Sequence, residues 1–108
     1  MIQTQLTAAA LILASLTAPV QADTVRNVLC ELTRLDKNSP IEDFKCDFTQ
    51  LQGNAYISSS RWSFAFPAVE QGKNYQRQNG DDFVRFIREG KYALSIYQSG
   101  VKTLKTGF

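Results

Sequence analysis

The chain has 108 residues, of which 44% are hydrophobic, 11% aromatic and 20% charged, the composition of an ordinary globular protein rather than a disordered or collagen-like one. Its formal charge is only +2, and there is no histidine, so the side chain most used for proton transfer near neutral pH is missing. A chain of this length holds one domain at most, which excludes a multidomain enzyme.

The first 22 residues read as a secretory signal. Met1 to Ala22 carries no charged side chain, and Leu6 to Leu16 is a single apolar block, too short for the roughly 20 residues that span a bilayer. Val20-Gln21-Ala22 ends on the small residue that signal peptidase prefers, so cleavage is expected before Asp23. The usual basic n-region is absent. Residues 23–108 then form a single small domain, exported to the periplasm or the medium and not spanning a membrane.

Export bears on Cys30 and Cys46, the only two cysteines. In an oxidising compartment an even count favours a disulfide, and two cysteines without histidine cannot close a zinc site. Asp23 to Leu35, however, places apolar residues at Val25, Val28, Leu29, Leu32 and Leu35, spacings that fit one face of an α-helix. On such a helix Cys30 points away from the apolar stripe. Either both sides of the helix are covered, or it is short and tilted, or the cysteines do not pair with each other; a Cys30–Cys46 disulfide is the expectation.

Beyond Pro40 the apolar period changes to two. Phe44, Cys46 and Phe48 alternate with polar residues; Gly53-Asn54 signals a hairpin; Ala55 to Ser58 returns; and Trp62, Phe64 and Phe66 alternate until Pro67. Asn74 to Arg77 reads as a short polar strand and Asn79-Gly80 as a turn. Asp81 to Glu89 fits a two-turn helix or a strand; strand is the choice, because Glu89-Gly90-Lys91 then joins it to Tyr92–Tyr97 as a hairpin with six-residue arms. Val101 to Phe108 adds a short edge strand blunted by Lys102 and Lys105. The expected fold class is α+β: an N-terminal helix packed on a curled antiparallel meander sheet, or a small open β-barrel, of five or six strands.

Catalytic patterns are missing. Glu42-Asp43 and Asp81-Asp82 are the only adjacent acidic pairs, and neighbours on a strand point to opposite faces. Serine and cysteine lack a histidine base, and no phosphate-binding or metal-binding spacing occurs. No cofactor, no metal and no enzymatic activity are therefore expected. Phe83-Val84-Arg85-Phe86 matches the end of an RNA-stacking strand, but Asp81-Asp82 stand where that motif needs glycine and base, so nucleic acid is not an expected partner.

Charge and aromatic placement supply the candidate sites. Asp23 to Glu70 holds five basic and seven acidic residues, and Gln71 to Phe108 seven basic and three acidic. The basic half suits an anionic protein or glycan, with Arg85, Arg88, Lys91 and Tyr97 as candidate contacts. Most aromatic residues belong in the core, while Tyr56, Tyr75 and Tyr97 are candidates for exposure. Trp62, Phe64 and Phe66 could instead enclose a small apolar ligand against the helix.

Two resemblances add to this. Cys46-Asp47-Phe48-Thr49-Gln50-Leu51-Gln52-Gly53-Asn54-Ala55-Tyr56-Ile57, with Arg88 to Tyr97, resembles short secreted β-rich proteins of photosynthetic bacteria, which implies export and a β-rich fold but no activity. In size, paired cysteines and layout the chain is also similar to periplasmic inhibitors of c-type lysozyme. Their Ser-Gly-x-x-Tyr motif corresponds to Ser99-Gly100 followed by Val101-Lys102-Thr103, with threonine in place of the tyrosine. The expected function is an exported non-catalytic binding protein, a hydrolase inhibitor being one form; the alternatives are a carrier of a small apolar ligand and a structural envelope component.

Overall fold

The computed structural model describes residues 21–36 and 38–102. Seven strands account for most of them: β1 (Asp23–Arg34), β2 (Glu42–Leu51), β3 (Asn54–Ser58), β4 (Ser63–Phe66), β5 (Gln76–Asn79), β6 (Phe83–Arg88) and β7 (Tyr92–Tyr97). They form one antiparallel sheet in the order β4-β3-β2-β1-β7-β6-β5, curled into a half-barrel. One 3-10 turn, Ala68–Glu70, lies in the crossing from β4 to β5, the two edges of the sheet.

This corrects the expected α+β class. Asp23 to Leu35 is not a helix but the central strand, and the strand count rises from five or six to seven. The helix-like spacing has a local cause. The β1–β2 register shifts between Val25 and Val28, where Asn27 takes φ 56°, and this bulge turns a two-residue step into a three-residue one. Beyond the bulge Val28, Cys30 and Leu32 step by two on the inner face, while Leu29 lies on the outer face, so Val25, Val28, Leu29 and Leu32 imitate a helical stripe. The conflict over Cys30 disappears with the helix. Cys30 and Cys46 both face inward from adjacent strands and form a disulfide with a Cα–Cα distance of 6.0 Å.

β2, β4 and β7 follow the alternation that predicts them, β3 is the expected return strand, and β5 spans Gln76–Asn79, two residues beyond the expected Asn74–Arg77 and over the first residue of the expected Asn79-Gly80 turn. The β2–β3 turn is centred one residue earlier than expected, on Gln52 and Gly53, both with positive φ, as a two-residue turn between right-twisted strands requires. Residues 81–89 contribute a strand, paired with β7 from Phe83↔Tyr97 to Arg88↔Tyr92 across the three-residue turn at Gly90. Val101 and Lys102 are not in a strand, and the rest of the expected C-terminal strand lies outside the described residues, as does the leader up to Val20.

Curling brings the β4 edge over β6. Phe66 and Phe86, both fully buried, stack with centroids 4.3 Å apart and planes within 5°, and Phe48 meets Phe86 edge-on at 6.3 Å. Ala55, Ile57, Leu94, Ile96 and the disulfide fill the rest of the inner face. Tyr75 completes the seam: its hydroxyl donates to the carbonyls of Pro67 (2.7 Å) and Phe66 (3.2 Å), giving the β4 end an acceptor-to-hydroxyl closure in place of a backbone ladder.

The outer face of β1 and β7 is also buried. Glu31, Ser95 and Tyr97 have essentially no exposure. Lys102 lies across them, its Nζ 2.8 Å from both Glu31 Oε2 and Asp43 Oδ2, and these two carboxylates raise the pKa of the ammonium well above the usual lysine range. Burial, then the charge of Glu31, raises the pKa of the Tyr97 phenol.

Candidate functional site

One end of the half-barrel carries a rim of aromatic and charged side chains. The register sets Arg34, Tyr92 and Arg88 side by side on β1, β7 and β6. Glu42 opens β2 beside them, and Trp62 and Phe64, from the approach to β4 and β4 itself, lie opposite. The rings form a continuous row: Trp62 to Phe64 at 6.1 Å, Phe64 to Phe66 at 6.3 Å, and Phe64 to Tyr92 at 5.6 Å. Alternation in β4 explains this, since every second residue must face the curl.

At one end of the row a single carboxylate organises the site. Glu42 accepts from Arg34 Nη2 at 2.7 Å, Arg61 Nη1 at 3.1 Å and the Trp62 indole N–H at 3.2 Å. The indole hydrogen bond first, then the charges of Arg61 and Arg34, hold its pKa below the usual glutamate range. Both guanidiniums also sit over the indole, at 5.6 Å for Arg34 and 5.0 Å for Arg61. A carboxylate held ionised in this way is a structural anchor and an acceptor, not a general acid.

At the other end no carboxylate among the described residues serves this purpose. Arg88 donates through Nε to the Tyr92 hydroxyl (2.9 Å), through Nη2 to Ala65 O (3.3 Å) and through Nη1 to Asn74 O (3.4 Å), and lies 5.1 Å over Phe66 and 5.8 Å over Tyr75. Arg77, 5.4 Å over Phe86, bonds Gln50 Oε1 at 2.7 Å and Asn79 Oδ1 at 2.9 Å, and burial lowers its pKa. Among the described residues neither has an ion-pair partner. A depression of about 300 Å3 opens beside Arg88, bordered by Lys73, Tyr75, Ile87, Glu89 and Lys91.

The sequence-derived candidates are therefore divided. Arg88 and Lys91 come together at this depression, whereas Arg85 and Tyr97 face the outer side, where Tyr97 is fully buried and Arg85 bonds Ser95 Oγ at 3.0 Å. Of the three tyrosines expected at the surface only Tyr56, 43% exposed, lies there; Tyr75 closes the seam and Tyr97 is covered. Trp62, Phe64 and Phe66 do share a row, packed against strands and not a helix. Arg34 and Glu42 escaped the sequence reading, Arg34 because its segment was read as helix and Glu42 because an acid at a strand start resembles a solvated one. The Arg61-Trp62 pair was the available signal.

Among the described residues no three His, Cys, Asp or Glu side chains group as a metal-ion set, and no helix is long and apolar enough to cross a membrane. The chain matches no family model, no curated protein and no solved structure.

Proposed function

We propose that this is an exported, non-catalytic binding protein that holds an anionic protein or glycan against the rim of the half-barrel. The observation that carries this reading is the row of half-buried rings, Trp62, Phe64 and Tyr92, interleaved with Arg34, Arg61 and Arg88. Rings and guanidiniums in alternation combine apolar contact area with donors for carboxylates, the mix enriched where proteins meet partners. Inhibition of a hydrolase is one such role. The disulfide between Cys30 and Cys46 is consistent with an oxidising compartment. The stacked Phe66 and Phe86 occupy the inside of the curl, so the rim is favoured over the interior as the place where a ligand sits.

The immobilised mature chain is expected to retain a partner from periplasmic extract or medium at low salt and release it as ionic strength rises. The lone Trp62 should change its emission in the complex. Arg61→Ser, at a solvent-exposed side chain, and Tyr92→Ala should each weaken retention. The reading fails if nothing is retained at low salt, or if both variants retain the partner as well as the parent chain.

A further inference from the structure

We infer that the depression beside Arg88 is an oxyanion site, taking the carboxylate or phosphate group of the anionic partner; this rests on the binding-protein reading and assigns the charged contact within it. A half-buried guanidinium is normally matched by a carboxylate, because removing an ionised group from water without a counter-charge is costly. Arg34 obeys that rule through Glu42. Arg88 does not. Its three nitrogens donate only to a phenol and two carbonyl oxygens, and two aromatic rings shield one side of the group.

The guanidinium has five N–H donors and three of them are used, which leaves one on each of Nη1 and Nη2 that an oxyanion can engage. Lys73 and Lys91 border the same depression, both exposed, and neither forms an ion pair among the described residues. Glu89 is the one acid on the border, also exposed and without an ion pair among the described residues. Glu70 is a second carboxylate close by, accepting from the side-chain amide of the lining Asn74 at 2.8 Å and acting on Tyr75, so three cations stand against two carboxylates. The volume, about 300 Å3, is at the lower end of the range for small-ligand sites and exceeds what a bare phosphate fills. An acid-bearing sugar therefore fits, with its anionic group on Arg88 and its body over Ile87.

The test is a titration of the mature, oxidised protein at constant ionic strength, followed by backbone amide NMR shifts. Inorganic phosphate and oligogalacturonate are the two anionic probes, and neutral galactose is the control. Saturable shifts confined to residues 73–76 and 87–91 are expected with at least one anion and none with galactose; phosphate alone points to a phosphoryl source, oligogalacturonate alone to a carboxylated glycan. The double variant Lys73→Gln/Lys91→Gln, both at exposed positions, should weaken binding about tenfold or more. Shifts no larger than chloride produces, shifts spread evenly over Lys45 and other remote lysines, or an unchanged affinity in the double variant overturn the proposal. A silent depression in a protein whose rim still retains its partner defeats this inference alone; a saturable depression with no partner retained defeats the binding-protein reading alone.

Discussion

The two ends of the aromatic row solve the same problem differently. Around Trp62 two arginines share one carboxylate, Glu42, so each has a counter-charge in reach although the trio keeps one net positive charge. Around Tyr75 and Phe66 the arginines rest on rings, amides and carbonyls, and no carboxylate among the described residues answers them. Similar side chains are thus tied to a carboxylate at one end and to neutral groups at the other.

The largest expected effect tests what joins the two ends. Phe86→Ala removes the ring that stacks on Phe66 and lies beneath Arg77, and should cost about 3–5 kcal/mol in chemical denaturation. It should disturb both ends together; a loss confined to the Arg88 side would mean that the ends are independent. Next comes the Cys30–Cys46 bridge, which closes a 16-residue separation and should contribute about 3 kcal/mol. Reduction should lower stability by that amount, and thiol titration of the unfolded, unreduced protein should find no free thiol.

Glu42→Gln sharpens the contrast directly. Because the carboxyl pKa is lowered by folding, its ionised form stabilises the protein above its ordinary pKa of 4.5, and that contribution disappears as pH falls through the folded-state value. The variant should therefore be less stable than the parent at pH 7 and approach it in acid, with Trp62 emission reporting the loosened indole. Equal pH dependence in the two proteins would show that Glu42 does not hold this end. The smallest effects concern the turns. Gly53→Ala and Gly90→Ala both force alanine to positive φ, about 1 kcal/mol each, but only at Gly53 would the new Cβ press on Ala68, at 3.2 Å, so Gly53→Ala should be the more damaging. Thermal denaturation of the pair reads the difference.

β2, β4 and β7 were legible in the sequence because each carries its own alternation (Phe44, Cys46, Phe48; Trp62, Phe64, Phe66; Leu94, Ile96), whereas β3, β5 and β6 were read from the turns that flank them. β1 was not, because a bulge resets the phase of a strand without leaving a distinctive residue. Asn27 accepts positive φ, but asparagine does so in many turns as well. The burial of the outer face around Glu31 and Tyr97 was equally hidden, since alternation normally means that one face is wet. Of the candidate site, Trp62, Phe64, Arg88 and Lys91 were visible as residue types. Their division between an end with a shared carboxylate and an end with neutral partners was not.

Local chemistry determined the β-rich pattern, most turns, the absence of histidine chemistry and the pairing potential of two cysteines, because these depend on residues and their nearest neighbours. Only the tertiary structure decided that the first strand is central, that Cys30 and Cys46 share a face, and that Glu42 goes to Arg34 and Arg61 while Arg88 goes to a phenol and two carbonyls. Those outcomes depend on curling and register, which bring together residues far apart in the chain, and no local spacing records them.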